Sequence, residues 1–156
     1  MKKKILVLSG IFLLIDQILK ILVRNSLKVG IEKYIIPKFF YLTYAKNTGG
    51  AFSLFENNPI LLAVIGVIAL IFLFRYILSD AELDKLEIVC YSMLIGGIIG
   101  NLLDRIIFNY VTDYIGLVFG SYYYPVFNFA DMLIVISIGL LFIKEVRGDK
   151  HGTNSK

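Results

Sequence analysis

Residues 60–78 read "ILLAVIGVIALIFLFRYIL", an apolar stretch in which Arg75 is the only charged residue. A helix of roughly 20 apolar residues is long enough to cross the hydrocarbon core of a bilayer. Three more apolar runs of similar length lie at 5–23, 88–107 and 126–143. The sequence therefore predicts a membrane protein with four transmembrane helices.

The composition agrees with this interpretation. The chain has 156 residues, of which 58% are hydrophobic and 18% are charged, whereas soluble domains are roughly half apolar and about a quarter charged. We expect a single membrane domain over 1–147, because the length suits one domain. The polar residues 148–156 are predicted to form a disordered cytoplasmic tail.

Several kinds of chemistry lack the residues that they require. The single cysteine, Cys90, lies inside a predicted span, and the single histidine, His151, lies in the polar tail. One cysteine cannot form an intrachain disulfide or a thiolate metal cluster, so metal chemistry and Ser/His or Cys/His catalysis lack the residues that they need. The net charge of +4 comes from basic residues at the ends of apolar runs, where they set orientation. Nucleic acid is therefore not a predicted partner.

The distribution of Lys and Arg predicts the orientation. With both termini inside, the inner segments carry more of these residues than the outer segment 24–59 does, which favours N-in/C-in topology. That outer segment is rich in β-branched and aromatic residues and is broken by Pro37 and by Gly49-Gly50. This pattern predicts a few short strands over about 30–55, between helices 1 and 2.

Ionisable residues inside spans suggest a function, since they are unfavourable in lipid. Asp16 and Lys20 are four residues apart, so they share one helix face. They could form a structural ion pair or support a site at the outer end of the helix. In the third span, Gly96 and Gly100 form a small-xxx-small pair that is typical of close helix packing.

Asn101 and Arg105 also share a helix face, near the predicted outer end of the third span. Their hydrogen-bond donors could join helices or contact a substrate. Asp104 could pair with the adjacent Arg105 or with a residue elsewhere in the chain.

Two further carboxyl groups, Asp113 and Asp131, are predicted to lie at the same outer membrane boundary, with residues 114–130 folding back between them. Asn128 precedes Asp131 by three residues and shares its helix face. Two acids that meet in a poorly solvated place cannot both ionise easily, so one retains a proton. Such a pair supplies a general base and a general acid together. The alternatives are a pair of helix-cap acids or two unrelated loop charges.

Five short motifs, taken together and in this order, resemble the bacterial signal peptidase II family, the lipoprotein signal peptidases. They are "DQILK" at 16–20, "NTGGAF" at 47–52, "GIIGNLLDR" at 97–105, "VTDYI" at 111–115 and "FNFAD" at 127–131. The chain departs from the family pattern at Gly50, where an alanine is usual, and at Thr112 and Tyr114, where more apolar neighbours of Asp113 are usual.

The resemblance implies an aspartic endopeptidase of the bacterial plasma membrane with its active site at the extracytoplasmic face. It implies an all-α membrane fold of four transmembrane helices, with a small extracytoplasmic β-cradle between helices 1 and 2. The substrates would be diacylglyceryl-modified prolipoproteins, cleaved just before the lipidated cysteine without a metal or cofactor. Membrane lipids and globomycin-type inhibitors would be the other ligands. The catalytic residues would be Asp113 and Asp131, and the supporting residues Asp16, Lys20, Asn47, Asn101, Arg105, Asn128 and Ala130.

Two other classes of protein remain open on the residues alone. A transporter or proton relay would use intramembrane carboxylates, but it would place them near the midplane on broken helices. A non-catalytic assembly subunit would use Gly96, Gly100 and the polar pairs only for helix contact.

Overall fold

The computed structural model of the chain describes residues 2–50, 55, 58–79 and 82–152, and for 148–152 it describes the backbone alone. Within these residues the chain forms four helices and four strands. In chain order they are α1 (Lys2–Ser26), β1 (Lys33–Ile36), β2 (Phe40–Asn47), α2 (Pro59–Leu78), α3 (Lys85–Phe108), β3 (Val111–Phe119), β4 (Tyr122–Phe127) and α4 (Phe129–Gly152).

Three of these helices, α1, α2 and α3, are long and apolar enough to cross a membrane. Large apolar side chains of α2 such as Ile60 and Phe72 are about three-quarters exposed, at 74% and 69%, as expected for a helix whose apolar surface is solvated by lipid. Helix α4 is not among these three, because its apolar run is shorter and is bounded by Asp131 and Lys144. It begins at Phe129 rather than at the predicted residue 126, because the preceding residues belong to β4.

Helix α3 is the central helix, and its glycines allow both neighbours to approach closely. A Cβ atom on Gly96 would lie 2.8 Å from Cβ of Phe12 in α1, and one on Gly100 would overlap the carboxylate of Asp16. On another face, a Cβ atom on Gly97 would lie 2.7 Å from the carbonyl oxygen of Ala130 in α4. The predicted close-packing role of Gly96 and Gly100 is thus confirmed by the contact between α1 and α3.

The other end of α3 is held by charged groups. Asp84 and Glu87 form a capping box, each accepting a backbone N–H of the other at 2.9 Å. Lys144 of α4 contacts both carboxylates, at 2.9 and 2.7 Å. These contacts fasten α4 to the start of α3, far along both helices from the sheet.

The four strands form one antiparallel sheet in the order β1-β2-β3-β4. The predicted β structure between helices 1 and 2 is present as β1 and β2, but it is only half of the sheet, because β3 and β4 come from the segment between α3 and α4. The all-α description is corrected accordingly: residues 111–127 form a hairpin rather than a simple loop. Strand β3 is an inner strand, and its partner β2 is remote in sequence, so local pattern could not reveal the pairing.

Two predicted segments extend beyond what the structure describes. Residues 51–54 of the predicted outer β segment lie outside the described residues, as do residues 153–156 of the predicted tail. The backbone of α4 remains helical to Gly152, so the helix continues into the segment for which a disordered tail is predicted.

We expect Gly100→Ala to lower the melting temperature of the detergent-solubilised protein, because the new methyl group would push α1 away from α3. Gly139→Ala is the matched control, since nothing lies within 4 Å of a Cβ atom there. Alanine is favoured over glycine inside a helix by about 1 kcal/mol, so the control should be as stable as the parent or slightly more so. Labelling of the buried thiol of Cys90 by a thiol-reactive dye reports unfolding. Equal stability of the two variants would contradict the packing assignment.

Candidate active site

Asp113 lies in β3 and is only 2% exposed. Its Oδ2 accepts a hydrogen bond of 2.8 Å from the side-chain amide of Asn47, and its Oδ1 accepts one of 2.6 Å from that of Asn128. The strand register explains the first contact. Ala45 in β2 is directly opposite Asp113, so Asn47 is its diagonal neighbour on the same face of the sheet.

Asp131 lies in the first turn of α4, where it both caps the helix and faces the site. Its Oδ2 accepts from the backbone N–H of Asn128 at 3.2 Å, while its own N–H donates to Oδ1 of Asn128 at 3.0 Å. This reciprocal pair is a capping box. The second oxygen, Oδ1, accepts a 2.7 Å hydrogen bond from the side-chain amide of Asn101. The cap role and the site role are therefore compatible.

Asn128 joins the two carboxyl groups, because it donates to Asp113 through its side chain and to Asp131 through its backbone. It is fully buried. Both aspartates line one cavity of about 480 Å³, together with Asn47, Arg105 and apolar residues of β4 and α4. The structure thus brings together the two acids that the sequence analysis paired.

Burial and the neighbouring charge of Asp131 raise the pKa of Asp113 to about 7. Desolvation is the larger effect, because it disfavours the ionised carboxylate. The hydrogen bonds from Asn47 and Asn128 act in the opposite direction, since they stabilise the ionised form. An acid with a pKa near neutrality can hold or release a proton under physiological conditions.

Lys20 lies behind this pair and is completely buried. Its ammonium group contacts Asp16 at 2.9 Å and Asp104 at 3.6 Å, and donates to the side-chain oxygen of Asn101 at 2.9 Å. Asn101 also accepts from Asn128 at 3.2 Å. Lys20 therefore connects α1 to the hydrogen bonds that hold both acids.

Asp16 and Ala130 form a second contact between α1 and the start of α4. The carboxylate of Asp16 accepts from the backbone N–H of Ala130 at 3.1 Å. Ala130 is fully buried and its backbone lies against Gly97, so a larger side chain would disturb this junction. Gln17, which sequence reasoning missed, donates to Asp16 and to the carbonyl of Gly100, each at 3.1 Å.

The partners of Asp104 were not predictable from the sequence. Its Oδ2 accepts the backbone N–H of Thr112 at 2.8 Å, so it fixes β3 one residue before Asp113. Its Oδ1 lies 3.4 Å from the guanidinium of Arg24, which also donates to the hydroxyl of Thr112 at 2.9 Å. The unusual threonine thus has a partner in α1. The only sequence feature that linked Asp104 to the site is its position three residues after Asn101, on the same side of the helix.

Arg105 lies at the edge of the cavity. It donates to the carbonyl oxygens of Gly49 at 3.1 Å and Asn101 at 3.4 Å. Its Nε is buried and has no acceptor among the residues that the structure describes. A buried donor without an acceptor is unfavourable unless a ligand or water completes it. The predicted substrate contact at Arg105 is therefore chemically available.

Metal ligands of the usual types are not grouped in the described part of the chain. No cluster of three or more His, Cys, Asp or Glu side chains there could hold a metal ion.

Comparison with known proteins relates the whole chain to signal peptidases. The family model of Signal peptidase (SPase) II matches residues 8–147. The chain is 32% identical over 148 residues to the lipoprotein signal peptidase of Symbiobacterium thermophilum, covering 95% of this chain and 97% of that one. It is 36% identical over 135 residues to that of Maridesulfovibrio salexigens, covering 83% and 86%.

A solved structure agrees with the sequence relatives. A bacterial membrane enzyme determined at 2.3 Å resolution superposes with a TM-score of 0.85 and 28% identity, covering 97% of this chain and 91% of that one. A second bacterial membrane enzyme, at 1.9 Å, gives a TM-score of 0.79 at the same identity and covers 90% of each chain. Since the family model covers nearly the whole chain and several relatives exceed 30% identity, the chain belongs to the signal peptidase II family.

Proposed function

We propose that the chain is an aspartic endopeptidase that removes signal peptides from diacylglyceryl-modified prolipoproteins, cutting just before the lipidated cysteine. The observation that carries this proposal is the pairing of Asp113 with Asp131 through Asn128 at one cavity. The cavity is partly polar and partly apolar, which suits a peptide segment with apolar side chains.

In the proposed reaction the two aspartates share one proton. The ionised carboxylate accepts a proton from a water molecule, and the oxygen of that water attacks the carbonyl carbon before the lipidated cysteine. The neutral carboxyl group donates a hydrogen bond to the carbonyl oxygen. As the C–N bond breaks, the leaving amino group of the cysteine takes up a proton from the pair. The titration belongs to the pair rather than to either residue.

The charges around the site favour the retention of that proton. The buried or partly buried acids are Asp16, Asp104, Asp113 and Asp131, and the nearby bases are Lys20, Arg24 and Arg105. Four carboxylates against three cations leave one excess negative charge, which a single proton neutralises. Because uncompensated charge is unfavourable in a poorly solvated interior, the half-protonated pair is the stable state of the site.

The membrane arrangement that we propose is N-in/C-in in the bacterial plasma membrane, with the sheet and both aspartates on the extracytoplasmic side. In this arrangement α4 is the fourth span, with Asp131 at the outer boundary and Lys144, which contacts Asp84 and Glu87, at the inner one. A water-accessible site at this boundary suits a substrate whose lipid holds the scissile bond at one depth. Membrane lipids and globomycin-type inhibitors are the further ligands that we propose.

The transporter alternative finds less support in the geometry. Asp113 lies on a strand of the sheet and Asp131 in the first turn of a helix. A carboxylate relay would be expected near the middle of the membrane, on interrupted helices.

We expect Asp113→Asn and Asp131→Asn each to abolish cleavage of a diacylglyceryl prolipoprotein by the purified protein. Asparagine keeps the shape of the side chain but cannot exchange the proton. Asp84→Asn is the matched control, because Asp84 lies at the far end of α3 with its side chain 54% exposed, and asparagine caps helices equally well. A gel assay of the released product measures the rates. Cleavage at near parental rate by either site variant would contradict the proposal.

The Asp113→Asn variant should remain folded. The pKa of Asp113 is higher in the folded protein than in the unfolded chain, so its contribution to the stability of the fold is largest at pH values below the pKa of the unfolded chain. That contribution to stability is lost as the pH rises through about 7. Asparagine does not ionise, so we expect the variant to melt no lower than the parent protein at alkaline pH. A lower melting temperature would mean that lost activity reports misfolding instead.

The pH dependence should follow from the same group. Loss of the shared proton should reduce kcat/KM as the pH rises through about 7. Asn47→Ala removes a hydrogen bond that lowers the pKa of Asp113, so the alkaline limb of the profile should move to higher pH. Asn25→Ala, at an exposed position of α1, should leave the limb in place. An unchanged limb in Asn47→Ala would contradict the assignment of Asp113.

We expect Lys20→Met to destabilise the protein by about 3–5 kcal/mol, the loss typical of removing one partner of a buried ion pair. The carboxylates of Asp16 and Asp104 would then lack their buried cation. Lys144→Met is the matched control, because Lys144 also contacts two carboxylates but is exposed to a greater extent. Loss of these more exposed ion pairs should change the stability of the protein only slightly. Dye labelling of Cys90 during heating compares the stability of the two variants. Equal losses of stability would contradict the role of Lys20.

A further inference from the structure

A second cavity lies between α2 and α3, with a volume of about 370 Å³. Aliphatic side chains form most of its walls: Ala63, Val64, Val67 and Ile68 from α2, and Leu102 and Ile106 from α3. Its polar lining residues are Arg105 and Asn109, both close to the end of α3. The groove is thus apolar along its length and polar at one end.

Arg105 belongs to both cavities, since it also lines the cavity that contains Asp113 and Asp131. The groove and the proposed active-site cavity are therefore neighbours, with this side chain as their common wall. The Nε of Arg105, buried and without an acceptor among the described residues, provides a hydrogen-bond donor at this junction.

The dimensions of the groove match part of a lipid. From Pro59 to Ile68 the α2 wall extends about 14 Å at 1.5 Å per residue. This is about half of a 30 Å hydrocarbon core, the depth of one leaflet. An acyl chain that ends in an ester carbonyl has the same pattern, with one acceptor at the end of a long apolar chain.

We propose that this groove holds one acyl chain of the substrate's diacylglyceryl group, with Arg105 donating to its ester carbonyl. The inference rests on the proposed function. The glyceryl group is attached to the cysteine sulfur, a few bonds from the scissile carbonyl, so its chains must leave the active-site cavity at its edge. The active-site cavity also has an apolar wall on α4, which includes Met132, Val135 and Ile136. This wall remains available to the apolar residues of the signal peptide.

The groove positions the lipid more than it increases affinity. An acyl chain leaves one apolar environment for another, so the hydrophobic effect contributes little between bilayer and groove. What the groove can supply is a fixed path for the chain, which places the scissile carbonyl, that of the residue before the cysteine, relative to the aspartates. A misplacement of about 1 Å can reduce the rate about 100-fold.

The test uses synthetic prolipoprotein peptides that carry either two palmitoyl or two butyryl chains on the glyceryl group. Ala63→Phe should fill the groove and reduce kcat/KM for the palmitoyl peptide by about ten-fold or more, as expected for a displaced reacting group. Cleavage of the butyryl peptide should stay near the parental rate, because its chains are too short to enter the groove. Ala69→Phe is the matched control at an exposed position of α2 outside the groove, and neither peptide should be affected.

A second measurement locates the chain directly. The inactive Asp131→Asn protein is mixed with a peptide whose palmitoyl chain carries a diazirine near its end, and cross-linked residues are mapped by mass spectrometry. Labels at Val64, Val67, Ile68 or Leu102 support the proposal.

The outcomes separate this inference from the proposed function. Labels confined to α4, or equal rates for the palmitoyl peptide in Ala63→Phe and Ala69→Phe, would mean that bulk lipid fills the groove and would overturn the inference. If the parental protein cleaves neither peptide, the proposed peptidase function fails instead.

Discussion

The buried ammonium group of Lys20 is the interaction on which the rest of the site depends. It contacts Asp16 within α1 and Asp104 of α3, and donates to Asn101. Asn101 in turn donates to Asp131. A buried ion is stable only when its partners are held in good geometry, so this one cation requires α1 and α3 to lie close together. The glycines at 96 and 100 permit that approach.

The same network explains how two acids can remain side by side in a membrane protein. Asp104 fixes the strand one residue before Asp113, and Asp16 holds the backbone one residue before Asp131. Each proposed catalytic acid is therefore positioned through its neighbour by a second, fully buried acid. Lys20 and Arg24 together compensate the charge of these two supporting acids. The pair at the cavity, with Arg105 beside it, then carries one excess negative charge, which one proton neutralises.

Features that follow from local spacing were predictable, and features that depend on remote pairing were not. The shared face of Asp16 and Lys20 and the glycine contact follow from helix geometry, and the motifs indicated that Asp113 and Asp131 belong to one site. The hairpin of β3 and β4 was missed because β3 pairs with β2, which is remote in sequence. The contacts of Asp104 with Arg24 and Thr112 were missed for the same reason, since they join three separate elements.

The most direct measurement is an infrared titration of the membrane-embedded protein with isotopically labelled aspartate, using the Asp113→Asn and Asp131→Asn proteins to assign the bands. If the pair shares one proton, the parental protein should show a single protonated carboxyl band from this site. That band should disappear as the pH rises through about 7, and it should not be present in the same form in either variant. Two fully ionised aspartates below neutral pH, or two protonated ones above it, would contradict the shared proton and the mechanism built on it.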